Sequence, residues 1–342
     1  MGTHARALKD AGALVTIVAG RGRAPQGIRL LRVPEADSRH PAVLRDFRAL
    51  ARGERTEAHD ALVEKLVRRL RPVFAKADRV VAHNVLTMHK GLALTEALVW
   101  LASERPGQMI AWTHDLAWCD PQYASERHPG DPWDLIARAH PGVRYVAVSD
   151  ERARQLESVT GLARGKVNVV PNGVDIAAAL GLSSTGARLA ARLDLYRADP
   201  LLVLPARLTR RKRIEVAIAA AVALRGRGRA AALVVTGPPG PHNAANDRYL
   251  AELAALARRA PGVHLLHALG VRAPYRLVAD LYALAGDAAT YVRADASGEA
   301  IADAVERALE QPGARFRSRV RALSWPRVLE EQVVPLVLKD IR

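Results

Sequence analysis

Short apolar runs of strand length alternate with helix-length segments along nearly the whole chain, and that alternation restricts the fold more than any other feature. In the first half, strands read at residues 14–19, 79–82, 109–113, 145–149 and 167–170, with helices at 61–70, 92–103 and 151–159 among them. The helix at 61–70 places Leu62, Leu66 and Leu70 on one stripe, which marks a core-packing face. After a connecting region at 177–199 the pattern resumes. Strands read at 201–205, 232–236, 263–267 and 288–292, and helices at 213–224, 247–260, 275–285 and 299–310. Such alternation is the pattern of an α/β protein with parallel sheets. The expected division is a first Rossmann-like domain over 1–178, a second over 179–324, and an amphipathic return helix over 325–342. Two doubly wound sheets facing a cleft bind ligands outside the carboxyl ends of their strands.

Composition narrows the function. A chain of 342 residues with 49% hydrophobic and 25% charged residues has room for two domains with their own cores. No apolar run reads as a membrane span, and no signal segment is visible. The single cysteine, Cys119, excludes an internal disulfide and fits a cytoplasmic location. The net charge of +16 suggests nucleic acid or an anionic membrane surface. However, the 51 basic residues comprise only seven lysines against 44 arginines, spread through every segment. That pattern reads as codon bias, and 4% aromatic residues offer little for stacking on bases. Nucleic acid is therefore not an expected partner. Peripheral contact with an anionic membrane, including through the alternating Arg315, Arg317, Arg319 and Arg321, remains a secondary reading.

The residues with most chemistry lie in LLVLPARLTRRKRIE, residues 201–215. Cations at the carboxyl end of a buried strand, beside a helix start, suit a diphosphate. The guanidinium of Arg207 can grip two phosphate oxygens, and Lys212 adds a mobile charge. A solvated basic turn is the competing reading. His83-Asn84 and His114-Asp115 each stand just past a strand, where a histidine can meet a sugar hydroxyl or reacting group and Asp115 can orient it. Asn172-Gly173 forms a tight turn after the strand at 167–170, read either as a simple turn or as a hinge. The loop TGPPGPHN at 236–243, with Gly237, has neither dinucleotide nor Walker spacing. No cluster has metal-ligand spacing, and no serine-hydrolase elbow is present.

Together VVPNGVD (169–175), LPARLTRRKRIEVAI (204–218), VVTGPPGPHN (234–243) and the Trp325-Pro326 ending resemble glycosyltransferase family 4. This is the retaining, nucleotide-sugar-using group with the two-domain GT-B fold. AHNVLTMHKGLALTEAL (82–98) and IAWTHDLAW (110–118) resemble a subgroup that includes mannosylglucosylglycerate synthase. The resemblance implies that Arg207 and Lys212 bind the donor diphosphate and that His114 lies near the transferred sugar. It also implies metal-independent chemistry with no cofactor, the nucleotide sugar being a substrate. The cations would stabilise the charge that develops on the departing diphosphate.

Two departures from the family pattern carry expectations of their own. The chain opens at Met1-Gly2-Thr3-His4 and runs straight into a helical segment, so the family's first strand and Gly-rich loop are expected to be missing. The family's E-x7-E element, expected before the strand at 288–292, has no counterpart, so the second sheet is expected to lack a βα unit. Glu299 and Glu306 have six residues between them and read as the polar face of their helix. The leading expectation is transfer of a hexose, from GDP-mannose before UDP-glucose, to a small polar or glycoside acceptor. The alternatives are a non-catalytic nucleotide-binding remnant of the family and electrostatic attachment to anionic lipid or nucleic acid.

Overall fold

The computed structural model describes residues 1–240, 245–286, 292–293, 295–310 and 322–341. The expected strand at 288–292, the end of the 236–243 loop and the arginines at 315–321 lie largely or wholly outside the described residues. The chain divides into two compact units, Met1–Asn172 with Pro326–Arg342, and Gly173–Trp325. All sheets among the described residues are parallel, as the alternation of elements requires. The protein is an α/β protein.

The first unit opens with α1 (Gly2–Asp10), which buries His4, Ala5 and Leu8 along one face. β1 (Thr16–Ala19) pairs with β2 (Arg29–Arg32), and α2 (Pro41–Leu50) and α3 (Glu57–Lys76) follow. Thr56 caps α3 by accepting a hydrogen bond from the His59 backbone N–H at 3.3 Å. α3 packs on α4 (Leu92–Glu104), and Leu62, Leu66 and Leu70 lie in the core as the stripe predicts. Four strands form the main sheet in the order β3 (Val80–His83), β4 (Met109–Thr113), β5 (Arg144–Ala147) and β6 (Asn168–Val169). Every residue of β4 is buried, because helices cover both faces of a parallel sheet. α5 (Asp150–Thr160) connects β5 to β6.

The single first sheet read from the sequence is in fact two. β1 and β2 stand apart from the four-stranded sheet, and a cavity of about 1160 Å³ lies between them. Every residue of both β1 and β3 lines this cavity. Leu70 and Phe74 of α3 wall it, as do Leu8 of α1 and Val333 and Val337 near the carboxyl end of the chain. The slot thus has two strand edges and apolar walls. Its position explains why β3 is half-open while β4 is wholly buried.

In the second unit, α6 (Ile176–Ala179) and α7 (Ser184–Arg192) precede a sheet in the order β7 (Leu201–Leu204), β8 (Ala232–Val235), β9 (Val263–Leu265). α8 (Ile214–Gly226), α9 (Ala245–Arg259), α10 (Tyr275–Ala285) and α11 (Gly298–Leu309) complete it. α11 lies closely on α8, where a Cβ on Gly298 would fall 2.6 Å from the Ala219 methyl. Glu299, Asp303 and Glu306 of α11 all bind Arg227, at 2.5, 2.7 and 2.9 Å. Those carboxylates are therefore the polar face of α11. The terminal helix starts at Trp325–Val328, passes through a π turn at Leu329–Val333, and ends at Val334–Leu338. Val328, Val333 and Val337 pack with Ile110, Trp112 and Val146, so the return helix belongs to the first unit's core. No helix among the described residues is long and apolar enough to cross a membrane.

Candidate active site

All the sequence candidates but Asn172 and Gly173 fall into two groups, one on each unit. On the first unit, His83-Asn84 and His114-Asp115 sit together because β3 and β4 are neighbours in register, with His83 opposite Trp112. Asn84 organises the group. Its Oδ1 accepts from the backbone N–H groups of His114 (3.0 Å) and Asp115 (2.9 Å), and its Nδ2 donates to Asp115 Oδ2 at 3.1 Å. The residue takes φ +55°, a left-handed conformation that asparagine tolerates better than most residues. Thr87 adds a hydroxyl that donates to the Asp115 carbonyl at 2.7 Å.

The histidines stand in a ring cluster. His83 stacks on Trp112 with centroids 5.6 Å apart and lies 6.1 Å from His114, while His4 of α1 lies 5.2 Å from His83. Burial holds His83 down to about 3 and His4 to about 4, and it also lowers His114, against which the Asp115 carboxylate pulls upward. The cluster is therefore neutral near pH 7. A neutral imidazole can accept a proton from a hydroxyl or donate a hydrogen bond to it. Asp115 is exposed, held by Asn84 on Oδ2 and lying 3.8 Å from Arg152 through Oδ1. The loop that follows is anchored by Trp133, whose indole N–H donates to the Leu50 carbonyl at 3.2 Å, and by the His89–Glu126 pair at 2.8 Å.

On the second unit, β7 is followed by Pro205-Ala206-Arg207 and β8 by Thr236-Gly237. The two loops are stitched together where the Leu208 N–H donates to the Pro238 carbonyl at 3.0 Å. Gly237 makes that approach possible, because a Cβ there would lie 2.0 Å from the Ala206 carbonyl oxygen. A single 3-10 turn, Arg210–Lys212, then leads into α8. Arg210 is committed to Glu252 through two contacts of 2.8 Å and lies over the Tyr249 ring. Arg207, Arg211 and Lys212 are exposed, and their side chains have no hydrogen-bond or ion-pair partner among the described residues. The first turn of α8 is less open than the sequence suggests: the Ile214 N–H donates to the Tyr249 hydroxyl at 3.1 Å. The free anion-binding groups on this loop are therefore the side chains.

Asn172 and Gly173 end one compact unit and begin the other. A Cβ on Gly173 would fall 2.4 Å from the Trp325 ring, so the Trp325 side chain requires glycine there. The Val174 N–H donates to the Leu323 carbonyl at 2.8 Å, which ties together the two places where the chain enters and leaves the second unit.

Sequence reasoning did not single out His4 or Thr87, or the organising role of Asn84. His4 carried one signal, its spacing of four from Leu8 on a single helix face. Thr87 and the Asn84 hydrogen bonds depend on contacts about thirty residues away in sequence, which no local pattern shows.

No family model matches the chain, and no curated protein matches it. Among solved structures it is similar to a sucrose-phosphate synthase from Thermosynechococcus elongatus, at 17% identity and TM-score 0.39, over 96% of this chain and 89% of that one. It is also similar to WaaG, a glycosyltransferase involved in lipopolysaccharide biosynthesis, at 14% identity and TM-score 0.38, over 98% and 94%. A UDP-forming trehalose-phosphate synthase from Burkholderia xenovorans follows at 13% identity and TM-score 0.35, over 98% and 96%.

Proposed function

We propose that this chain is a GT-B glycosyltransferase of family 4 that moves a hexose from a nucleoside-diphosphate sugar to a small polar or glycoside acceptor, with retention of configuration. The observation that carries this reading is the set of unpartnered cations Arg207, Arg211 and Lys212 at the carboxyl end of β7, on a loop that Gly237 lets lie against the loop after β8. Exposed cations held on a rigid scaffold suit a diphosphate, whose oxygens accept charge-assisted hydrogen bonds. His114, oriented through Asn84 and flanked by Asp115, provides a neutral imidazole and a carboxylate for sugar hydroxyls.

In the proposed reaction an acceptor oxygen bonds to the anomeric carbon while the bond from that carbon to the diphosphate oxygen breaks. The bonding pair leaves with the diphosphate, and Arg207 and Lys212 stabilise the charge that accumulates there. The acceptor's proton goes to a departing phosphate oxygen. No metal ion takes part in this scheme. GDP-mannose is the favoured donor and UDP-glucose the next, on the resemblance of residues 82–98 and 110–118 to the mannosylglucosylglycerate synthase subgroup. The proposed setting is the cytoplasm.

The test is acceptor-dependent release of GDP or UDP from the nucleotide sugar. Release that Arg207→Ala abolishes supports the reading. Release that survives Arg207→Ala together with Lys212→Ala overturns the donor site. Nucleotide binding without release assigns the chain instead to a non-catalytic nucleotide-binding role.

A further inference from the structure

At the opposite, amino end of the main sheet lies a second set of arginines that the proposed reaction does not use. Arg79 immediately precedes β3, Gln108 precedes β4, and Arg144 is the first residue of β5. With Arg105 they line an open cavity of about 680 Å³, whose wall also includes Asp78 and Asp340. Arg79 and His83 stand at opposite ends of β3, four strand steps or about 13 Å apart at about 3.3 Å each, although Arg79 also borders the larger cavity that His83 lines.

The arginines differ in how fully they are satisfied. Arg79 donates to the carbonyls of Asp78 (3.1 Å) and Lys339 (2.9 Å), but its Nε is buried without a partner. Arg105 donates to the Phe74 and Ala75 carbonyls at 3.4 and 3.3 Å. Arg144 is the exception, with both Nε and Nη2 buried and neither hydrogen-bonded. It has no ion pair among the described residues. Asp340 is near enough to favour its charge, but burial first and the neighbouring Arg79 second hold the Arg144 guanidinium below its ordinary value. The buried Oε1 of Gln108 is an acceptor with no partner, while its amide nitrogen donates to the Phe74 carbonyl at 2.7 Å.

A guanidinium with two buried, unpaired N–H groups is costly, because it has lost water and gained nothing in return. Folding does not relieve that cost here, although two carboxylates lie in the same wall. Among the described residues, three arginines against two aspartates leave an excess of one positive charge around an open cavity. An anion with several acceptor oxygens in a compact tetrahedron can relieve that cost once the guanidinium turns these N–H groups toward the cavity. A monoprotonated phosphate also carries one O–H, which can donate to Gln108 Oε1. A carboxylate has no such donor, and sulfate is fully deprotonated near pH 7.

We propose that the cavity lined by Arg79, Arg105, Arg144 and Gln108 binds a phosphate group, as inorganic phosphate or a phosphate monoester, at a site separate from the nucleotide-sugar site. Its oxygens accept from Arg144 and Arg79, and in its monoprotonated form the hydroxyl donates to Gln108. Occupancy stabilises the first unit by binding the folded state alone.

The test is NMR of the arginine Nε–Hε groups in the full chain, titrated with sodium phosphate at constant ionic strength, with chloride as the control. Saturable shifts of the Arg144 and Arg79 resonances, absent with chloride, are expected. Arg144→Gln should weaken phosphate binding at least tenfold while leaving GDP and UDP affinity unchanged. If Arg144→Gln does not fold, Arg105→Gln at the exposed rim should weaken phosphate binding severalfold. A flotation assay with phosphatidylcholine vesicles, with and without phosphatidic acid, separates the two sources of the group. Flotation lost in Arg144→Gln assigns a lipid headgroup, and a response to free phosphate without flotation assigns a soluble ligand. No shift of either arginine at 10-fold millimolar excess of phosphate, together with no flotation, overturns the proposal, as does phosphate affinity equal in wild type and Arg144→Gln.

Discussion

His59 gives the sharpest stability prediction. It lies on the first turn of α3 with its side chain fully buried, Nδ1 2.9 Å from Asp46 Oδ1 and Nε2 3.0 Å from Glu96 Oε2. Glu96 is shared with Arg55, which also binds Asp60. Burial opposes a charge on His59, but the Asp46 and Glu96 carboxylates outweigh it and push the imidazole up to about 9 from its ordinary value of 6.5. Because the folded value is the higher one, the contribution is fully present below pH 6.5 and is lost as pH rises through about 9. At about 1.4 kcal/mol per unit, the gap corresponds to about 3 kcal/mol. With a urea slope of about 2 kcal/mol per molar, the unfolding midpoint of the first unit should fall by roughly 1.5 M between pH 6 and pH 10. Tryptophan fluorescence reads this unit, through buried Trp112 and Trp133. His59→Gln keeps the hydrogen-bonding shape but cannot take a charge, so its midpoint should be lower at pH 6 and should change much less with pH. Parallel curves for the two proteins would refute the charged-histidine account.

Three further outcomes follow from the same geometry. Gly237→Ala should separate the loops after β7 and β8, costing roughly 1–3 kcal/mol and weakening nucleotide binding at least tenfold, as read by urea unfolding and calorimetry. Asn84→Ala should release the His114-Asp115 backbone and lower kcat by about 10- to 100-fold with little change in GDP or UDP affinity, measured by steady-state kinetics beside binding. His4 and His83, held near 4 and 3, take protons more readily in the unfolded chain. Their contribution is present above pH 6.5 and is lost as pH falls toward those values. The imidazole resonances of His83 should therefore stay neutral at pH 5, while those of a peptide control titrate.

How much of this was legible in the sequence depended on how local each feature is. β4 and β8 could be read directly because strands buried on both faces are continuous apolar runs. The arginine-flanked β2 could not, since Arg-Leu-Leu-Arg shows neither a continuous apolar run nor an apolar–polar alternation. The break between β1 and β3 was beyond reach as geometry, because strand order is set by pairings far apart in sequence. Asn84 was visible as a polar residue after a strand, but its role rests on partners at positions 114 and 115. His59 gave no signal at all. Its carboxylates come from α2 and α4, 13 and 37 residues away. In the PARLTRRK loop the residue types were informative, yet only the structure separates Arg210, spent on Glu252, from the unpartnered Arg207 and Lys212.

The central claim is that Arg207 and Lys212 hold a nucleotide diphosphate, and calorimetric titration of GDP and UDP tests it most directly. A charge-assisted hydrogen bond contributes about 1.5–3 kcal/mol, so Arg207→Ala should weaken binding by about 10- to 100-fold. Lys212→Ala should weaken it by a similar or smaller factor, and GMP or UMP should bind far more weakly than the diphosphates. Diphosphate affinity that is unchanged in both variants, or equal to that of the monophosphates, would contradict the account.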